Sequence, residues 1–348
     1  MWHGIVGHDA VVEQFRRTLA AERLASTYLF VGPPGVGKRR FAIELARSLL
    51  CIESPEAALE PCGRCESCRL FAAGNHPDLD VVGLPPDKSS LPIALFIGDD
   101  QHRNQEGLCH RLALKPFFGQ RKIAIVDDAD HFSIPSANCL LKTLEEPPPS
   151  ALLILIGTSP ARQLPTIRSR SQIVRFQPLE TDAVCQILVD RGLIADREQA
   201  QRAAELSEGS VERALQLSDA ALWQFREQLL STLQSRPVDR VRLGRAVHAF
   251  VDEAGKEASL RRDRLRTVIG FAVDFYRSEL RDRSAGPCAN EWVDRAEPIV
   301  RALDASLAAL EHVDRNANQA LVIQAWCEAL VPLCQMDAPA RASAAVAE

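Results

Sequence analysis

Gly32-Pro33-Pro34-Gly35-Val36-Gly37-Lys38-Arg39 has the G-x-x-x-x-G-K spacing of a phosphate-binding loop, and it follows the apolar run Tyr28-Leu29-Phe30-Val31. A strand feeding such a turn is the context in which the spacing carries meaning. Gly32, Gly35 and Gly37 let backbone N–H groups converge on phosphate oxygens at a helix N-terminus, and Lys38 adds a positive charge. Directly behind the loop, Cys51, Cys62, Cys65 and Cys68 form a C-x10-C-x2-C-x2-C array. Four thiolates close a tetrahedral shell around one zinc ion and leave no position for water or substrate, which makes the array a structural site. Pro61 and Gly63 suit its turns. Unrelated reduced thiols and a nucleic-acid-binding knuckle are the competing readings. Against the knuckle, Arg64 and Arg69 are the only bases nearby and no aromatic alternates with them. Cys109, Cys139, Cys185, Cys288, Cys327 and Cys334 are scattered and read as buried apolar side chains. His76, before Pro77, reads as a turn residue.

The elements that must position these groups follow from periodicity. Strand-like runs occur at Tyr28–Val31, Asp80–Val82, Lys122–Asp127, Ala151–Gly157 and Ile173–Phe176, and they alternate with helical patterns, the signature of a parallel α/β sheet. A helix is expected after Lys38, a weakly patterned stretch at Asp99–Leu114, and a short helix at Ala137–Glu146 that Pro147-Pro148-Pro149 terminates. Phe176-Gln177-Pro178-Leu179 looks like an exit linker. Beyond it Asp182–Arg191, Arg197–Leu206, Val211–Leu217, Leu222–Leu233 and much of 238–335 read as amphipathic helices, punctuated at Gly209-Ser210 and Arg236-Pro237.

The 348 residues exceed one ordinary core, so two or three domains are expected. Apolar and charged fractions of 46% and 25% are those of a soluble globular protein. A net charge of -5 and a pI near 6.0 leave no whole-protein nucleic-acid footprint, so any DNA contact must be local or shared with partner chains. The longest apolar stretch, Ala151 to Ile156, is too short to span a bilayer, and Glu13, Arg16 and Arg17 stand where a secretory signal needs an apolar core. A cytoplasmic address is expected, and in a reducing compartment a clustered four of ten cysteines reads as metal ligands. Arg261-Arg262-Asp263-Arg264-Leu265-Arg266 is the strongest basic run. Asp252, Glu253, Glu257 and Asp282 dilute it, so a solvated helix face is preferred over a subunit or DNA contact.

Several motifs together resemble the delta-prime subunits of the bacterial DNA polymerase III clamp loader, within the AAA+ superfamily. They are Gly4-Ile5-Val6-Gly7, the loop Gly32–Lys38, the cysteine array, and Ala137-Asn138-Cys139-Leu140-Leu141-Lys142-Thr143-Leu144-Glu145-Glu146-Pro147. Ile167-Arg168-Ser169-Arg170-Ser171, Gly209-Ser210 and Asp314-Arg315-Asn316-Ala317-Asn318 complete the set. The resemblance runs over roughly residues 1–335. It implies an AAA+ α/β P-loop domain at 1–177 with a zinc-binding insertion at about 51–70, a small helical lid at 178–218 and a helical collar at 219–335. The Ala-rich tail 336–348 is expected to be mobile.

The resemblance also implies a function, and the loop residues qualify it. A hydrolysing P-loop enzyme needs a Ser or Thr hydroxyl after the lysine to hold Mg²⁺, and a carboxylate pair at the end of a neighbouring strand. Here the position is Arg39, a permanent cation with no lone pair to offer. The strand ends in Asp127-Asp128 where hydrolysing relatives usually carry Asp-Glu, so Asp128 is one methylene short. A vestigial turn, nucleotide binding without turnover, and ATP hydrolysis are the three readings, in that order. Thr158 and Arg213 occupy the family's two nucleotide-sensing positions. Arg170, in Ser169-Arg170-Ser171, keeps the arginine of the family's Ser-Arg-Cys motif, whose side chain acts in trans on a neighbouring subunit's nucleotide. The implied role is a non-hydrolysing, stator-like subunit of the polymerase III holoenzyme, a nucleotidyltransferase assembly. Its expected partners are the motor subunits and the clamp-opening subunit of a hetero-pentameric ring, with the sliding clamp and primed DNA met through the complex. The rivals are an ATP-hydrolysing clamp-loader motor and a free-standing zinc-dependent DNA-binding protein.

Overall fold

The computed structural model describes residues 2–86, 88–235, 239–284 and 289–330. Arg236-Pro237, Cys288, Cys334 and the tail 336–348 lie outside the described residues. The chain divides into two compact units, Met1–Ser218 and Asp219–Glu348.

The first unit is built on five parallel strands: β1 (Thr27–Val31), β2 (Leu79–Val82), β3 (Lys122–Val126), β4 (Ala151–Ile156) and β5 (Gln172–Arg175). Their spatial order is β2-β3-β4-β1-β5. All residues of β1, β3 and β4 are buried, which is why these segments read as continuous apolar runs rather than alternating ones. The register places Tyr28 opposite Ile154 on one side and Gln172 on the other, so β1 sits between two strands that come more than a hundred residues later in the chain. The element order around the sheet is α1 (Asp9–Ala20), α2 (Lys38–Leu49), α3 (Glu66–Ala72), α4 (Ala94–Ile97), α5 (Leu108–Ala113), α6 (Ile134–Glu145) and α7 (Pro165–Arg168). One face of the sheet carries a core of Phe15, Phe30, Phe41, Leu45, Ile125, Ile154 and Phe176. The other carries Leu29, Phe96, Leu108, Val126, Leu140 and Leu155.

Each expected strand exists, displaced by one residue at most at either end. The differences lie among the helices. No element was expected before Tyr28, yet α1 spans Asp9–Ala20 and buries Val11, Val12, Phe15 and Leu19. The weakly patterned stretch contains only α5, with α4 lying just before it, and α6 begins three residues before the expected start. Ser133 and Ser136 form a reciprocal capping box there, and Pro135 occupies the first turn, where a missing N–H costs nothing. Three helices close this unit: α8 (Thr181–Asp190), α9 (Arg197–Leu206) and α10 (Val211–Leu217). Ser210 caps α10 by accepting the Arg213 N–H.

The second unit consists of α11 (Ala220–Gln234), α12 (Arg240–Asp252), α13 (Ala258–Ser284), α14 (Ala289–Asp314) and α15 (Gln319–Ala329). Phe225 and Phe250 stack with centroids 4.1 Å apart, and the buried Trp326 donates its indole N–H to Ser306 Oγ at 3.0 Å. The basic run on α13 is largely spent inside this unit. Arg266 donates to Asp263 and Asp314, Arg261 pairs with Asp252, and the Arg264 guanidinium lies 4.9 Å from the centre of the Phe250 ring.

Candidate nucleotide and metal sites

The loop Gly32–Lys38 leaves the carboxyl end of β1, and the adjoining strands bring the remaining crevice residues to the same edge of the sheet. Gly32 N–H donates to Thr158 O (3.1 Å), which follows β4, while Asp127 and Asp128 follow β3. The loop is tightly enclosed by the rest of its own unit. A Cβ on Gly32 would lie 2.3 Å from Phe176 O. Gly35, at φ +73°, faces the start of α10, where a Cβ would meet Ser210 Oγ at 2.2 Å and Glu212 Cβ at 2.7 Å. The Val211 N–H donates to Gly35 O (3.0 Å). On another side the buried His8 donates its Nε2–H to Val36 O (2.8 Å), and its ring rests edge-on against Phe176. Gly37 provides the N-cap of α2.

Lys38 is turned back into this loop. Its Nζ donates to Gly32 O and Pro33 O, both at 2.7 Å, and the side chain is buried. Burial lowers its pKa, with Asp127, Asp130 and Glu212 acting the other way. Arg39 reaches across to Asp127, Nε to Oδ2 at 3.4 Å. Burial raises the Asp127 pKa and Asp128 adds to that, while Arg39 and Lys38 partly offset it. The guanidinium therefore lies beside the carboxylate that would take part in metal binding in a working site, and an arginine supplies charge but no ligand atom. Asp128 sits at φ +55° with its carboxylate accepting the Leu84 N–H at 3.2 Å.

Sequence reasoning missed the residue that organises this edge. Asp130 accepts the Thr158 N–H (2.8 Å), the Thr158 hydroxyl (2.5 Å) and the Gln163 amide (2.6 Å). Thr158 is thus committed to a carboxylate of its own chain. The only signal in the sequence was a third acid in Asp127-Asp128-Ala129-Asp130, which periodicity does not interpret. Arg213, on α10, donates to Glu208 at 3.2 Å. Arg170 lies elsewhere. It precedes β5, whose Gln172 pairs with Tyr28, so it belongs to the amino ends of the strands. Gly32 lies four residue steps beyond Tyr28 along β1, about 13 Å at about 3.3 Å per residue. Arg170 Nη2 donates to Glu145 Oε1 at 2.8 Å, and Nη1 donates to Thr166 O at 3.1 Å.

The four cysteines converge. Their sulfurs all lie within 4.8 Å of one another, with Cys51–Cys65 and Cys62–Cys68 at 4.0 Å. A tetrahedron with metal–sulfur bonds of about 2.3 Å has edges of about 3.8 Å, so these residues fit the chemistry of a four-thiolate metal site. Cys51 extends from the end of α2, and Cys65 caps α3 by accepting the Cys68 N–H at 3.4 Å. Further N–H groups aim at sulfur from Cys62 to Cys51 (3.4 Å) and from Cys65 to Cys62 (3.3 Å). For Cys51, burial opposes ionisation, but backbone donors from Cys62, Glu53 and Ser54 pull its pKa to about 6. Behind the cluster, His76 Nδ1 accepts the Asp78 N–H, so Nε2 carries the proton and donates to Ser67 Oγ, and Ser67 in turn donates to Leu50 O. Ser67 is therefore the link between the two ends of the cysteine frame, and His76 holds Ser67 in place from the Asp78 side. Of the remaining cysteines within the described residues, Cys185 and Cys327 are buried, while Cys109 and Cys139 are half-buried.

A parallel sheet in this strand order, with a G-x-x-x-x-G-K loop after β1 and carboxylates after β3, defines a P-loop protein of the AAA+ type. The chain belongs to the family described as DNA polymerase III, delta subunit, which matches residues 7–180. It is 35% identical over 181 residues to the DNA polymerase III subunit delta′ of Bacillus subtilis, covering 52% of this chain and 51% of that one. It is 42% identical over 146 residues to the subunit delta′ of Pseudomonas aeruginosa, covering 42% and 41%. It is also 38% identical over 175 residues to the subunit gamma/tau of Mycobacterium bovis, covering 50% of this chain and 28% of that one. The chain thus spans about half the length of the delta′ relatives it matches.

Proposed function

We propose that this protein is a non-hydrolysing, stator-like subunit of the polymerase III clamp loader, which places the sliding clamp on primed DNA. In this reading it holds a structural zinc ion and supplies Arg170 to a neighbouring ATPase. Residues 1–177 act as the AAA+ domain, 178–218 as its lid and 219–335 as the collar that joins the ring. The motor subunits and the clamp-opening subunit are its partners, and the assembly works in the cytoplasm. The observation that carries the reading is the Arg39–Asp127 ion pair at the carboxyl edge of the sheet, because a cation without lone pairs lies beside the carboxylate that metal chemistry needs. Lys38 satisfied by loop carbonyls and Thr158 held by Asp130 point the same way.

Arg170 is the group that would act on substrate, and its position at the amino ends of the strands suits a site outside its own crevice. A fixed guanidinium there stabilises charge developing on the transferring phosphoryl group, an effect of roughly 10³–10⁵ in rate in well-studied NTPases. Zinc at Cys51, Cys62, Cys65 and Cys68 would hold the insertion to the end of α2 and take no part in turnover. The similarity to gamma/tau favours the rival reading, an ATP-hydrolysing motor. Steady-state ATPase assays on the isolated chain decide between them. Negligible turnover is expected, and a rate that Lys38→Ala abolishes would establish the motor.

A further inference from the structure

α6 joins the two ends of the sheet. Its amino end follows the Asp127–Asp130 segment beside the crevice, where Ser133 and Ser136 cap it, and its carboxyl end carries Glu145. Twelve residues at about 1.5 Å per residue make a rod about 18 Å long. Glu145 closes a 2.8 Å charge-assisted hydrogen bond on Arg170 Nη2, and Thr166 O and Ser169 Oγ accept from Nη1 at 3.1 and 3.3 Å. Three acceptors from two elements therefore define the plane of the guanidinium. A guanidinium has five N–H donors in a fixed fork, so donors remain for an incoming phosphate. Glu145 is half-exposed.

We infer that Glu145 is a positioning residue for Arg170: it fixes the arginine's orientation from the end of α6 so that the cation is presented to the neighbouring subunit already ordered. The inference rests on the reading of Arg170 as an arginine acting in trans. A long arginine side chain that must be immobilised at the moment of reaction loses rotamer entropy, and a carboxylate partner removes that cost beforehand. Glu145 is tied to Arg170 directly, so the coupling between the two residues is what the trial has to measure.

The trial is a double-mutant cycle in the reconstituted full complex, with Glu145→Ala, Arg170→Ala and the pair, read as DNA-stimulated ATP hydrolysis. Arg170→Ala is expected to lower kcat by 10³-fold or more. Glu145→Ala should lower kcat by about tenfold and leave KM for ATP unchanged, as expected when orientation is lost rather than binding. The double variant should be no slower than Arg170→Ala alone. Glu145→Gln, which keeps an acceptor oxygen, should recover part of the loss. Native mass spectrometry and thermal melting of each variant report assembly and folding separately. If Arg170→Ala is slow but Glu145→Ala is unaffected, faster, or additive with it, the positioning role is wrong while the finger stands. If Arg170→Ala itself turns over normally, the finger reading fails and the inference falls with it.

Discussion

At the scale of single residues, the loop shows how a motif can persist while its chemistry is reassigned. Lys38 sits in a tight cradle of glycines, but its three ammonium protons have two loop carbonyls as partners within 2.7 Å. Its removal should therefore show in stability rather than in turnover. Lys38→Ala is expected to lower unfolding free energy by about 1–3 kcal/mol in urea titrations, since half-buried carbonyls lose a charged donor, while the isolated chain's ATPase rate stays at background. His8 sets a pH dependence on the same loop. Burial lowers its pKa below the ordinary 6.5, with Asp9 and Lys38 the charges acting on it. The unfolded chain then binds more protons than the native one once pH drops below about 6.5. Stability carried by neutral His8 is full above that pH and is lost as pH falls toward the depressed folded value. Urea midpoints at about pH 7.5 and about pH 5.5 should differ less in His8→Gln than in the parent protein. An unchanged slope would remove His8 from the account.

At the scale of elements, two joints are open to direct trial. Cys65 is both one of the four clustered sulfurs and the N-cap of α3, so Cys65→Ser should lower metal content and loosen residues 51–72 together. Elemental analysis is expected to find one zinc per chain in the parent and a deficit in the variant, and hydrogen exchange should rise across that segment alone. Gly35→Ala tests the joint between loop and α10. It places a Cβ at φ +73° against Ser210 and Glu212, and should cost about 1–3 kcal/mol in an equilibrium urea melt. The sequence predicted these joints unevenly. The sheet was legible because β1, β3 and β4 are buried on both faces and must be continuous apolar runs. The cysteine cluster was legible because ligand spacing is local. α1 is less legible: Val11, Val12, Phe15 and Leu19 lie on one face, but charged residues interrupt them and His8 provides no side-chain cap to mark the start. Asp130 and Glu145 were unreadable for another reason. Their roles depend on Thr158, Gln163 and Arg170, and chain distance of 25 residues or more hides such pairings from any local pattern.

At the scale of the whole molecule, the two compact units separate the proposed tasks: the site for a neighbour's chemistry lies in Met1–Ser218, and helices alone make up the described part of Asp219–Glu348. Arg170→Ala in the reconstituted complex should therefore leave assembly intact by native mass spectrometry while clamp loading falls. Arg168→Ala, which bears the neighbouring charge, is the control. Loading at the parent rate would reduce this chain to a scaffold. The position of β1 has a further consequence, which concerns time. Its two neighbours are β4 and β5, with Thr27 opposite Leu153 and Val31 opposite Arg175. A ribosome adding roughly 5–20 residues per second makes β1 well before either partner exists. For that interval an apolar segment has no sheet to join, and the loop and cysteines behind it emerge before the fold that orders them. The sheet closes from the middle only after β4 and β5 arrive, so contacts of high sequence separation set the folding rate. Newly made chains should gain protease resistance in one late step, after residue 175 has cleared the exit tunnel, rather than gradually along synthesis.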